Sequence, residues 1–198
     1  MQNKRIYLTG VGGQGTLTAT TILAQAALRA GLMVVSGEIH GMAQRGGVVE
    51  STVLLGGWLS PKLDYGQADV LMGFEPMEAL RGLPYLRQGG AVFSSLDALP
   101  PPAVSSGQAT YPDLNMIKKE ISAWAAETCF MSTRSLGREA GAAQSGNIAL
   151  LGALCASGLL DPLNLATLKE TIIQTMKPAL AQINLKAADL GAAIFSKG

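Results

Sequence analysis

A glycine-rich turn between an apolar strand and a helix constrains this chain more than any other feature. Residues 5–9 predict a strand, and the hexapeptide that follows, residues 10–15, has glycine at its first, third and sixth positions. Glycine permits a tight turn and a close backbone approach, and the N-terminus of the next helix offers unpaired N–H groups and partial positive charge. The sequence therefore predicts a phosphate-binding turn. Its cofactor-binding residues are predicted to be Gly10, Gly12, Gly13, Gln14 and Gly15.

Strand and helix patterns alternate along the rest of the chain. Strands are predicted at residues 33–38, 48–55, 68–73, 91–94 and 129–131, and helices at residues 15–30, from Pro76, and at residues 115–128 and 147–159. Such alternation is typical of an α/β fold with a layered, mostly parallel sheet and flanking helices in a Rossmann-like arrangement. Because the chain has 198 residues, a single domain over residues 1–198 is the simplest expectation.

Apolar spacing also predicts how some helices face the rest of the molecule. In the first helix, Leu17, Thr21, Ala24 and Leu28 fall on one face. The dipeptide Asp161-Pro162 is typical of a helix start, since an acidic cap precedes a proline. In the last helix one stripe is expected, formed by Leu180, Ile183, Ala187, Leu190 and Ile194.

A second unusual loop, residues 40–47, follows the second predicted strand. If the first two strands are parallel neighbours, both loops lie at the carboxyl edge of the sheet, where open α/β sheets bind ligands. Arg45 stands beside Gly46 and Gly47, so its guanidinium and nearby backbone N–H groups are predicted to bind an anion. His40 and Gln44 are possible catalytic residues. A metal site is not expected, because the sole histidine has no second His or Cys nearby.

Two other interpretations of the glycine turn remain open. Glu38 stands near the end of the second strand, where dinucleotide-binding folds hold a ribose carboxylate, so a stand-alone NAD(P)- or flavin-binding reductase domain fits the motif. Glycines can also serve a tight strand-to-helix turn that binds nothing. A Walker A loop is excluded, because Thr16 and Leu17 stand where Lys and Ser or Thr are required.

Charge and cysteine content narrow the classes of protein further. Only 15% of the residues are charged and the formal net charge is +1, which argues against nucleic acid as a partner. Apolar runs fall short of the roughly 18 residues that span a membrane, and no secretion signal is recognised, so we expect a cytoplasmic protein without a membrane partner. Cys129 and Cys155 lie far apart and outside any CxxC pattern, so this chain is not expected to hold an iron–sulfur cluster or zinc.

The two loops together resemble a known family. Residues 10–15 (Gly-Val-Gly-Gly-Gln-Gly) and 40–47 (His-Gly-Met-Ala-Gln-Arg-Gly-Gly) are similar to the gamma subunit, or gamma domain, of 2-oxoacid:ferredoxin oxidoreductases, and most of all to its indolepyruvate group. The similarity continues through residues 68–76, 83–86 and 147–158 and so covers most of the chain. It implies that residues 1–198 form one gamma-type domain.

The resemblance implies a function as well as a fold. Enzymes of this family decarboxylate a 2-oxoacid on thiamine diphosphate, pass electrons through iron–sulfur clusters to ferredoxin and release an acyl-coenzyme A. This chain would then be a subunit that is inactive alone and binds no cofactor tightly. A larger partner subunit would carry the thiamine diphosphate and the iron–sulfur clusters, and ferredoxin would interact through the complex.

The same resemblance implies roles for individual residues. Arg45 and the backbone of residues 12–15 would bind the phosphates of a coenzyme A shared with the partner. His40 and Gln44 would line the path to the partner's thiamine site or contact the partner. An aryl pyruvate is the first expectation for the substrate, and a branched-chain or dicarboxylic 2-oxoacid is the alternative. A purely structural subunit, whose loops fit against its partner and bind nothing, remains an alternative.

Overall fold

In the computed structural model, the described part of the chain forms a six-stranded sheet with helices on both faces. The structure describes residues 3–40 and 47–196, apart from the side chains of residues 39, 40 and 102. The strands are β1 (Lys4–Val11), β2 (Val34–His40), β3 (Val48–Leu55), β4 (Ala68–Gly73), β5 (Leu86–Ser95) and β6 (Glu127–Met131). The helices are α1 (Thr16–Arg29), α2 (Pro76–Gly82), α3 (Pro102–Ser105), α4 (Leu114–Trp124), α5 (Thr133–Ala140), α6 (Gly146–Ala156), α7 (Leu165–Thr175) and α8 (Pro178–Phe195).

The strand order, β2-β3-β1-β4-β5-β6, confirms a mostly parallel sheet but corrects the expected neighbours of β1. Strands β1, β4, β5 and β6 pair in parallel, whereas β3 is antiparallel to both β1 and β2. Strands β1 and β2 therefore point the same way, but β3 separates them. The reason is that residues 41–47 are too few for a parallel crossover, which needs a dozen or more residues, so β3 returns beside β2.

Two groups of helices enclose the sheet. On the first face, α1, α6, α7 and α8 bury apolar side chains against residues such as Ile6, Leu8 and Phe93. On the second face, α2 and α4 pack against Tyr7, Leu71 and other alternate strand residues. Because neighbouring residues of a strand point to opposite faces, one strand such as β1 supplies both cores.

Helix α1 presents a different face to the sheet from the one that its leucines suggested. Leu17 and Leu28 are 37% and 59% exposed, while Ala19, Ala26 and Leu23 are fully buried. Small side chains let the helix axis approach the sheet closely, so they occupy the buried face. The predicted stripe of Leu17, Thr21, Ala24 and Leu28 was therefore wrong as a core face.

The stripe predicted for helix α8 was confirmed in its middle, where Ala187 is fully buried and Ile183 and Leu190 pack against the core, but it was wrong at both ends. Leu180 and Ile194 are 52% and 38% exposed, whereas its buried residues include Ala181, Ala188 and Gly191. A methyl group at Gly191 would stand 1.8 Å from the Ala149 carbonyl oxygen in α6. The two backbones are thus in direct contact, and small residues rather than large apolar ones form the interface.

Helix α7 begins later than the Asp161-Pro162 signal predicted. Its first residue is Leu165, and the side chain of Asn164 accepts a hydrogen bond from the Thr167 amide at 3.1 Å. Asparagine is as good an N-terminal cap as aspartate, so the choice between the two depended on the path of the chain before the helix.

Candidate functional site

The glycine turn adopts the backbone conformation that an anion-binding turn requires. Gly13 and Gly15 have φ of 98° and 81°, in the left-handed region that favours glycine. The Gln14 amide donates to the Val11 carbonyl oxygen at 3.1 Å, which closes the turn. Gly15 is the N-terminal cap of α1 and has no side chain to satisfy the first amides of the helix. The N–H groups at the start of α1 are therefore suited to an anion.

Packing also requires glycine in this turn. A methyl group at Gly10 would stand 2.9 Å from Thr16 Oγ1 and 3.0 Å from Phe74 Cβ, and one at Gly15 would stand 2.4 Å from Asn147 Nδ2. Asn147 in α6 donates from Nδ2 to the Gly15 carbonyl oxygen at 3.0 Å. These contacts favour the structural interpretation of Gly10 and Gly15, and they are compatible with anion binding by the same turn.

Gln14 holds the turn in place through both ends of its amide. Its Oε1 atom accepts from the Val11 amide at 2.7 Å, and its Nε2 atom donates to the Phe74 carbonyl oxygen at 3.1 Å. The turn after β1 is thereby joined to the end of β4. In this structure the predicted binding residue Gln14 positions the turn.

The second predicted loop meets the glycine turn at Gly47. The Gly12 amide donates to the Gly47 carbonyl oxygen at 2.9 Å, so the last residue of the second loop lies beside the glycine turn, at the edge of the sheet that the sequence predicted. His40 ends β2 opposite Val49 of β3. Predicted residues Gln44, Arg45 and Gly46 lie outside the described part of the chain.

A cavity of about 310 Å³ opens beside the glycine turn and has residues that the sequence did not single out. Its walls include Gly13, Asp97, Arg134 and Asn147. Asp97 follows β5 and accepts from the Arg134 amide at 2.6 Å and from Ser132 Oγ at 2.9 Å. The exposed Arg134 side chain stands at the start of α5. The signal that could have identified these residues is their position, since both follow parallel strands at the carboxyl edge.

Several predicted alternatives can be compared with this geometry. Glu38 lies on β2, which β3 separates from the glycine turn, so it does not take the ribose position next to β1.

Within residues 3–40 and 47–196, no group of three or more His, Cys, Asp or Glu side chains could hold a metal ion. Burial raises the pKa of the Cys129 thiol to about 11 and that of Cys155 to about 12, as expected for inert buried thiols. None of the described helices is long and apolar enough to cross a bilayer.

Comparison with known proteins places the chain among oxidoreductases. The sequence profile of the pyruvate ferredoxin/flavodoxin oxidoreductase family matches residues 5–194. The chain is 42% identical to the indolepyruvate oxidoreductase subunit IorB of Pyrococcus horikoshii over 96% of its length and 95% of that protein.

Solved structures share the fold. The gamma subunit of a keto/oxoacid ferredoxin oxidoreductase from Geobacter sulfurreducens has a TM-score of 0.70 at 22% identity, covering 98% of this chain and 99% of the other. A 2-oxoglutarate:ferredoxin oxidoreductase from Magnetococcus marinus, solved with 2-oxoglutarate, coenzyme A and succinyl-CoA, has a TM-score of 0.73 at 22% identity. That likeness covers all of this chain and 32% of the other, so the same fold occurs there within a much longer polypeptide.

Proposed function

The chain is an oxidoreductase subunit that belongs to the pyruvate ferredoxin/flavodoxin oxidoreductase family, and we propose that it helps to bind coenzyme A in a 2-oxoacid:ferredoxin oxidoreductase. The family resemblance expected from the sequence is confirmed by the similarity to IorB. The observation that carries the proposal is the hydrogen bond from Gly12 to Gly47, which brings the last residue of the second loop to the glycine turn.

The chemistry of this edge suits the phosphates of coenzyme A. The turn has two glycines with positive φ, and α1 begins directly behind it with unpaired amides. Arg45, two residues before Gly47 in the sequence, adds a guanidinium that can meet a phosphate with two parallel hydrogen bonds. The relative from Magnetococcus marinus, which shares the fold, was solved with coenzyme A.

The relatives also support a substrate class. The relative named IorB belongs to an indolepyruvate oxidoreductase, and we extend that specificity to this chain as an aryl pyruvate substrate. Thiamine diphosphate and the iron–sulfur clusters are assigned to a larger partner subunit, through which ferredoxin receives the electrons. His40 and Gln44 would line the path from this edge to the partner's thiamine site or contact the partner.

The other interpretations are less well supported. A stand-alone NAD(P)- or flavin-binding reductase domain requires a ribose carboxylate beside β1, and β3 occupies that position in the sheet. A purely structural subunit has one observation in its favour, since packing alone explains glycine at positions 10 and 15. That observation does not account for the uncapped start of α1 or for Arg45.

The test is to replace Arg45 in the assembled enzyme. A hydrogen bond to a charged group contributes about 1.5–3 kcal/mol, so Arg45→Ala is expected to weaken coenzyme A binding about ten- to a hundredfold. Decarboxylation of the 2-oxoacid in the absence of coenzyme A should change little. Arg45→Lys should recover only part of the affinity, because an ammonium group keeps the charge but loses the planar fork.

A matched control is Arg138→Ala, which removes an exposed arginine from α5. It should leave the dependence of the rate on coenzyme A concentration unchanged. A coenzyme A dependence that is the same in Arg45→Ala and in the unmodified enzyme would contradict the proposed role and favour the structural alternative.

A further inference from the structure

A second cavity lies on the second face of the sheet, away from the edge that carries the glycine turn. In the described part of the chain, α1 is the helix that packs on β2 and β3, and it lies on the first face. On the second face, residues 61–64 cross over these strands and enclose a cavity of about 390 Å³. This volume is within the range of small-molecule sites.

The wall of the cavity is held firmly against the sheet. Thr52 Oγ1 donates to the Pro61 carbonyl oxygen at 2.7 Å. A methyl group at Gly37 would stand 2.6 Å from Pro61 Cβ, so the segment rests directly on β2. The cavity is therefore already formed without a ligand.

Aromatic rings line the cavity between the sheet and this segment. The Tyr7 ring, from β1, stacks on the Tyr85 ring with centroids 4.3 Å apart, and Tyr65 meets Tyr85 edge-on at 4.8 Å. Leu63 and Pro61 complete a mainly apolar surface. Such walls fit the flat or alkyl body of a small organic group.

One half-buried carboxylate, Glu50, gives this apolar cavity its charge. Burial first, and then a hydrogen bond to Glu50 together with the charge of that carboxylate, raises the pKa of Tyr7, so this phenol stays neutral at physiological pH. Burial and the charge of Glu50 also raise the pKa of Tyr85. Among the described residues, no lysine or arginine forms an ion pair with Glu50, although Lys62 stands at the rim. Glu38 and Asp64 add further carboxylates around the opening.

We infer that this cavity binds an organic cation, an ammonium or guanidinium group on an apolar body, with Glu50 as its counter-ion. Tyrosine rings attract a cation through their π faces, and a carboxylate in an apolar surrounding needs a partner of opposite charge. An anionic group such as a carboxylate would be repelled by Glu50, so the cavity favours a cation over an anion. The cation can come from a free amine or from a lysine or arginine side chain of the larger subunit.

The test uses the co-expressed complex and three probes of similar shape, observed by ligand-detected NMR. 2-Phenylethylamine is cationic, 2-phenylethanol is neutral and 3-phenylpropionate is anionic at neutral pH. We expect the amine to bind at least about tenfold more tightly than the alcohol, and the carboxylate not to bind. Glu50→Gln should remove the preference for the amine without changing the affinity for the alcohol.

If a lysine or arginine side chain of the larger subunit occupies the cavity, the binding and co-purification results differ from those above. The amine then fails to bind the assembled complex, and Glu50→Gln lowers the fraction of this chain that co-purifies with the larger subunit. Tyr85→Leu, which removes the π face of a ring that lines the cavity, should weaken whichever interaction is observed, and it serves as the second variant if Glu50→Gln does not fold. Glu120→Gln on α4 is the exposed control, expected to change neither property.

Two results would overturn the inference. The first is equal binding of the amine to the unmodified complex and to Glu50→Gln. The second is the absence of amine binding together with co-purification that is unaffected by Glu50→Gln and by Tyr85→Leu.

Discussion

At the scale of single residues, Glu75 shows how a buried carboxylate organises the loops around the glycine turn. It is 1% exposed, and its Oε2 atom accepts from the amides of Met77 and Glu78 at 2.7 and 3.0 Å. Its Oε1 atom accepts from the Leu99 amide at 3.1 Å and from the Tyr111 hydroxyl at 2.6 Å. Four donors compensate the loss of water around the charge, so one side chain joins the end of β4 to the segment after β5.

The next acidic residue, Glu78, is expected to make stability depend on pH. Burial raises its pKa above the ordinary value of 4.5, although Arg81, 2.7 Å away, acts in the opposite direction. A raised pKa means that the folded state binds the proton more tightly. The contribution of the protonated Glu78 side chain to the free energy of unfolding is therefore complete below pH 4.5. It is lost as the pH rises through the raised pKa. The melting temperature of Glu78→Gln minus that of the unmodified chain should therefore increase as the pH rises above 4.5.

Thermal unfolding followed by circular dichroism between pH 4 and pH 7 measures this difference. Glu120→Gln, an exposed substitution on α4, should give a constant difference over the same range. A difference for Glu78→Gln that does not change with pH would show that burial leaves this carboxyl group unperturbed.

At the scale of elements, the contact between α6 and α8 determines how the first-face layer is built. Nearly every residue of α6 is buried, and α8 approaches it through alanine and glycine. A methyl group at Gly152 would stand 2.1 Å from the Ala188 carbonyl oxygen, which belongs to the backbone and cannot rotate away. The contact therefore excludes any side chain at this position.

Gly152→Ala should destabilise the protein, even though alanine favours a helix. Overpacking of this kind costs about 1–3 kcal/mol, more than the gain in helix propensity. Urea unfolding compared with that of Ser122→Ala tests the expectation, because Ser122 is exposed on α4 and its replacement adds helix propensity without a clash. If both variants are equally stable, α6 and α8 are not in direct backbone contact.

At the scale of the whole molecule, the fold separates two kinds of chemistry. The carboxyl edge carries the uncapped N-terminus of α1 and the exposed Arg134, both suited to anions. The second face carries tyrosines and Glu50, suited to a cation. Within the described residues, neither region has a group of three or more His, Cys, Asp or Glu side chains that could hold a metal ion.

The isolated chain is accordingly expected to be colourless and unable to reduce a redox dye with an aryl pyruvate. The larger subunit would supply thiamine diphosphate and clusters, so adding it should produce activity that depends on coenzyme A. Absorbance spectra and anaerobic dye reduction measure both properties. Dye reduction by the isolated chain, free of any second subunit, would contradict the proposal that the larger subunit carries the thiamine diphosphate and the clusters.

Local sequence determined most of the elements and the position of the glycine turn. Strands β3 and β4 were predicted with the bounds that the structure has, Val48–Leu55 and Ala68–Gly73, because apolar periodicity and flanking glycines are properties of neighbouring residues. The carboxyl-edge location of both loops also followed from local pattern, since a strand, a helix and a strand in succession imply parallel directions.

Only the tertiary structure decided which elements became neighbours. Strand β3 lies between β1 and β2, the inward face of α1 carries Leu23 and several alanines in place of Leu17 and Leu28, and the inward face of α8 carries mainly small residues. The residues that meet in the second-face cavity, Tyr7, Glu50 and Tyr85, come from distant parts of the chain. Strand order, close backbone contact and the enclosure of a cavity depend on pairs of residues far apart in sequence, and no local periodicity encodes them.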